Sequence, residues 1–139
     1  MMDCEKIKTS LSDFFKNSIK VETDKKECRV VLPIYGRDKD LIEIFIRESS
    51  LKEKGKYYIT DDAETISSLY GLGVEIEEDR KPKLILDSIE KSHNIEIKNG
   101  EIRTYAQEEN LGLAISNIIS SILGVQYIQY LSRPSEGAC

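Results

Sequence analysis

The chain has 139 residues, 20 Lys or Arg against 25 Asp or Glu, and a formal net charge of −5. Its 40% apolar and 32% charged residues are the balance of a globular domain, not of a disordered segment, a fibre or a coiled-coil rod. The longest apolar stretch, about six residues around Val30–Tyr35, is far short of a bilayer span, and the acidic balance argues against a broadly basic nucleic-acid binder.

Residues 3–18 place Ile7, Leu11, Phe14 and Phe15 at i, i+4, i+7 and i+8, one stripe of an amphipathic helix. Alternating β-branched residues over Ile19–Thr23 predict a short edge strand, followed by a polar turn at Asp24–Glu27. Cys28–Tyr35 reads as a buried strand in which Pro33, lacking an N–H, demands an edge, a bulge or a bend. After a turn at Gly36–Asp40, Leu41–Glu48 alternates. Ile42, Ile44 and Ile46 point one way, and Glu43, Phe45 and Arg47 the other.

A charged turn over Lys52–Lys56 leads to a strand at Tyr57–Thr60. Asp61 or Asp62 then caps a helix whose apolar face is Ile66, Leu69 and Tyr70 and which Gly71 or Gly73 ends. A second helix is predicted over Pro82–Ser92, with Ile85, Leu86 and Ile89 inward. Asn99-Gly100 joins Ile95–Lys98 and Glu101–Tyr105 as the clearest hairpin, because Asn-Gly readily supplies two positive φ angles. The longest helical pattern, Glu108–Leu131, keeps Leu111, Ile115, Ile118, Ile119, Ile122 and Leu123 on one face, with Gly124 a point of loosening or kinking. The expected fold is α+β: a mainly antiparallel sheet with packed helices and a long C-terminal helix. Residues 1–132 form one domain, and 133–139 a flexible tail.

Three cysteines (Cys4, Cys28, Cys139) in no CxxC pair, beside the single histidine His93, do not make a structural zinc site. The odd cysteine count and the charged segment Met1–Ser10, which has no apolar core of a secretory signal, point to the cytoplasm.

Two patterns invite enzymatic readings. Glu43, Asp61, Asp62 and Glu64 are oxygen donors that, if convergent, would hold Mg²⁺ or Mn²⁺ for a metal-dependent nuclease or phosphoesterase. Capping and the helix dipole explain Asp61, Asp62 and Glu64 without a metal. Glu96-Ile97-Lys98 with Asp87 nine residues earlier has the form of a restriction-type nuclease motif, but Asp87 falls inside a predicted helix. No catalytic set, metal or other cofactor is therefore assigned.

Charge and apolar surplus point elsewhere. Asp61–Asp79 holds seven acids and no Lys or Arg, among them Glu75, Glu77, Glu78 and Asp79, a region suited to a basic protein surface. The last helix extends its stripe through Tyr127, Ile128 and Leu131, enough to cover a second copy or a following domain. The expectation is a non-enzymatic protein-binding or regulatory module using those residues, with a homo-oligomerisation domain as the remaining alternative. Membrane and direct nucleic-acid partners are not expected.

Val31-Leu32-Pro33-Ile34, Asp40–Ile46, Tyr58–Ile66 with its Asp61-Asp62-Ala63-Glu64-Thr65-Ile66 core, and Asn99–Ile102 together resemble the prokaryotic domain-of-unknown-function family numbered eighteen twenty-eight. The resemblance covers about residues 28–123, and the family pattern more often has glycine where this chain has Ala63. It implies a bacterial, archaeal or phage-associated protein, with phage–host conflict as a setting and a second domain often following. It carries no catalytic residues.

Overall fold

The computed structural model describes residues 2–74 and 80–131. The segment 75–79, with the expected partner residues Glu75, Glu77, Glu78 and Asp79, lies outside them, as do the tail after Leu131 and the Leu131 side chain.

Helix α1 (Cys4–Ser18) is capped by Asp3, whose carboxylate accepts the Glu5 and Lys6 N–H groups. Strands β1 (Lys20–Asp24), β2 (Glu27–Tyr35), β3 (Leu41–Glu48) and β4 (Tyr57–Thr60) follow. Helices α2 (Glu64–Gly71) and α3 (Arg80–His93) lead to the hairpin β5 (Glu96–Lys98) and β6 (Glu101–Ala106), and α4 (Leu111–Leu131) closes the fold. The strands form one antiparallel sheet in the order β1-β2-β3-β4-β6-β5. Pro33 sits where the β2–β3 register shifts between Val31 and Tyr35, the bulge its missing N–H requires. Asn99 (φ 52) and Gly100 (φ 78) adopt the two left-handed conformations expected of the β5–β6 turn.

Strand alternation puts Val30, Ile44, Ile59 and Ile102 on one face, under α2, α3 and α4. Ile44, Ile59, Leu69, Ile102, Ile118, Val125 and Ile128 are fully buried. Each contributes on the order of 2 kcal/mol by leaving water. Helix α4 is one continuous helix through Gly124. A Cβ at Gly124 would lie 3.1 Å from Ile89 Cδ1, so the missing side chain serves the close approach of α3 to α4. Residues Glu108–Tyr130 are long and apolar enough by composition to cross a membrane, a property the short apolar runs did not suggest. In this fold their Ile118, Ile122, Val125 and Ile128 lie in the core.

Other sequence expectations change in detail. Among the described residues, α3 already includes Arg80, two residues ahead of the expected Pro82. Tyr70, expected on the apolar face of α2, is 42% exposed. No residue of α1 is buried: Ile7, Leu11 and Phe14 form the predicted stripe, yet each remains about half exposed.

Candidate functional site

With α2, α3 and α4 on the inner face, the sheet's outer face carries the other half of each strand. One row crosses all six strands as Glu22, Arg29, Phe45, Thr60, Arg103 and Glu96. The next row is Asp24, Glu27, Arg47, Tyr58 and Tyr105. Arginines sit among acids on and beside these rows, and Arg29, Arg47 and Arg103 each reach two carboxylates.

The resulting contacts are specific. Arg29 bonds Glu43 at 2.6 Å and Glu22 at 3.1 Å. Arg47 bonds Glu27 at 2.7 Å and both oxygens of Asp62 at 2.9 Å, with its guanidinium 5.5 Å from the Phe45 ring centre. Arg103 lies between Glu96 at 3.3 Å and Glu101 at 3.7 Å. The Tyr58 and Thr60 hydroxyls both donate to Glu101, and the Tyr58 and Tyr105 rings pack 5.3 Å apart beneath the Lys54 ammonium. Hydrogen bonding to Glu43 and to Asp62 holds Arg29 and Arg47, respectively, above the ordinary arginine range. Desolvation, then the bond to Glu101, pushes the Tyr58 phenol up to about 12.

The Asp61-Asp62 turn anchors this face to α2. Asp61 is buried, and its carboxylate accepts N–H groups from Ala63 at 2.9 Å, Thr65 at 3.1 Å and Ile102 at 3.0 Å. Ala63 holds the N-cap position with no side-chain acceptor to offer, and Asp61, two residues earlier, supplies one to the first turn of α2 while tying the helix to β6. Burial nonetheless pushes its pKa up, outweighing the opposing pull of those donors. Asp62 and Ala63 both take left-handed backbone (φ 56 and 64), which turns the chain sharply from strand into helix.

Beside the turn, where β4 ends and β3 continues, lies a cleft of about 840 Å³ lined by Arg29, Arg37, Lys39, Glu43, Asp62 and Glu64, among others. The sequence's four candidate acids meet around this cleft but do not converge on one point. Glu43 is held by Arg29, Asp62 by Arg47, and Asp61 by three backbone amides. Among the described residues, no group of three or more His, Cys, Asp or Glu is arranged to hold a metal ion. The Glu96-x-Lys98 pattern is likewise divided. Glu96 bonds Arg103 on the outer face, whereas Asp87 lines a groove with Ile66 and Ile97 on the helix side.

Two expected partner-binding groups move. Asp61 is no part of a charged surface, being buried and bonded. Ile128, expected at the surface, is fully buried within the core cluster, leaving Tyr127 and Tyr130 as that turn's exposed groups. The arginine clamps themselves went unpredicted. Glu43, Phe45 and Arg47 were visibly cofacial in the sequence, but their partners on other strands depend on register, which alternation alone does not fix.

Residues 32–125, from within β2 into α4, match the model of a family described only as a domain of unknown function; α1 and β1 lie outside the match. No curated protein and no solved structure matches the chain.

Proposed function

The chain belongs to the family of the domain of unknown function DUF1828, and we propose that it acts as a non-enzymatic protein-binding module whose docking surface is the outer face of the sheet. The observation that carries this reading is the set of clamped arginines around Phe45, Tyr58 and Tyr105. Arginine and tyrosine supply a disproportionate share of binding energy at protein interfaces. Carboxylates that already fix the guanidinium groups lower the side-chain entropy lost when a partner arrives. Paired opposite charges are spread over the face, so it suits a partner with a similarly mixed polar surface and discriminates by the placing of charge.

The test is affinity capture followed by binding measurements on the recovered partner. Tyr105→Ala and Lys54→Glu are expected to weaken binding about tenfold or more, the loss typical of a central interface residue. Leu84→Ala, an exposed position on α3, serves as the control and should bind as the parent does. Equal binding by all three folded variants would remove the outer face from consideration.

A further inference from the structure

We infer that β1 is a self-complementary edge through which a second copy of this chain adds its own sheet, giving one continuous sheet with six strands from each copy. This inference stands apart from the docking face above. β1 is the outermost strand, and all five of its residues are exposed. Asp24 and Glu27 close a two-residue turn and so form a hydrogen-bonded pair, with Glu22–Arg29 and Lys20–Val31 the next such pairs. The N–H and C=O groups of Val21 and Thr23 therefore point away from β2, toward the open edge.

Antiparallel pairing centred on Glu22 sets Val21 against Thr23 of the second copy, and Thr23 against its Val21. Four backbone hydrogen bonds then join the copies. In the same register Lys20 stands opposite Asp24 of the second copy, twice, on the outer face. Opposite charges directly across an antiparallel pair stabilise it. The two Glu22 side chains meet at the axis, and each is already held by Arg29 of its own chain at 3.1 Å. A register centred on Val21 would also pair Lys20 with an acid, Glu22. It would, however, run Thr23 onto Ile19, whose N–H is already given to the Phe15 carbonyl.

Two short strands cover less than the roughly 1,000 Å² that a lasting interface needs. Helix α1 supplies the remainder. It ends two residues before β1, packs on β2, and holds Ile7, Leu11 and Phe14 exposed at 48%, 57% and 55%. Their alternating four- and three-residue spacing is that of a two-helix seam, and a two-fold axis at the edge brings the two α1 stripes to the same interface. Val21, 56% exposed at the same edge, adds apolar surface to the pairing.

Sedimentation equilibrium from micromolar to submillimolar chain concentration tests the inference. The parent chain is expected at twice the monomer mass. Lys20→Glu should raise the dimer dissociation constant about tenfold or more by placing like charges across the edge twice. Adding Asp24→Lys to Lys20→Glu should restore the dimer in the Glu22-centred register alone. Thr23→Pro removes an outward N–H that β2 does not use, and Leu11→Ser removes exposed apolar surface; both should give folded monomers, judged by circular dichroism. A monomeric parent at submillimolar concentration overturns the inference. So does a dimer indifferent to Lys20→Glu and Thr23→Pro, a charge swap without rescue, or an edge that pairs only with a strand of another protein.

Discussion

Arg47 grips Asp62 through two parallel bonds of 2.9 Å, joining the middle of the sheet's outer face to the turn that starts α2. A planar guanidinium matches a carboxylate in this way, and lysine does not. Both partners are about one-third exposed, so solvent screening keeps the pair near the upper end of surface values. Removal of either side chain should cost about 1 kcal/mol, and a double-mutant cycle of Arg47→Ala with Asp62→Ala should return a coupling of similar size. Urea denaturation of the four proteins measures it. Zero coupling would mean that the bidentate geometry does not persist in solution.

Asp61 has a heavier role. Asp61→Ala leaves two buried backbone N–H groups and a part-buried third without their acceptor at the start of α2, for an expected loss of about 3 kcal/mol. Asp61→Asn retains one oxygen but brings an NH₂ group toward a former donor, so it should recover less than half of that loss. Denaturant midpoints of the two variants against the parent decide the matter.

The same carboxyl gives a pH signature. Burial raises its pKa above the ordinary aspartate value of 3.8, so on acidification the folded state takes up this proton before the unfolded chain does. Its contribution to stability therefore falls as pH rises from the unfolded value through the folded one. Glu108 behaves oppositely. Hydrogen bonding to Lys56 lowers its pKa, so its contribution is present above the ordinary glutamate range and fades as pH falls through the folded value. Carboxyl-carbon NMR titrations should show Asp61 above, and Glu108 below, their ordinary midpoints; Asp61 titrating at or below 3.8 would contradict the burial argument.

Ala63 occupies left-handed backbone at φ 64, where a Cβ is strained and glycine is not. Ala63→Gly should stabilise the chain by up to about 1 kcal/mol, since relief of that strain outweighs glycine's greater unfolded-state entropy. Ala63→Val should destabilise it by at least that amount, because β-branched residues tolerate this region worst. Thermal melts of both variants should move in opposite directions.

A metal at the cleft would have to displace Arg29 from Glu43 and Arg47 from Asp62 before it gained its ligands. Millimolar Mg²⁺ or Mn²⁺ is accordingly expected to leave the melting temperature where matched ionic strength leaves it, since only a ligand that prefers the native state raises it. A metal-specific rise that Glu43→Gln or Asp62→Asn abolishes would replace the binding-module reading with an enzymatic one.

Most of the fold was legible because its signals are local. Pro33 announced the bulge, Asn99-Gly100 the hairpin, and Ile42-Ile44-Ile46 the buried side of β3, each within a few residues. Capping by Asp61 was legible for the same reason, as a short acceptor ahead of an apolar helical period. The site was less so. That Arg29 would meet Glu43 and Arg47 would meet Glu27 and Asp62 depends on which residues stand opposite across neighbouring strands.

By itself, then, the sequence determined most of the elements, the inward faces of the central strands and the class of the fold, because propensity, period and turn chemistry act over neighbouring residues. Tertiary structure alone decided that Ile128 is core, that α1's stripe remains uncovered, and that the twin aspartates part company, one to backbone amides and one to an arginine. The reason is that burial and charge pairing are properties of what lies across the gap, and nothing in a one-dimensional pattern specifies the neighbour.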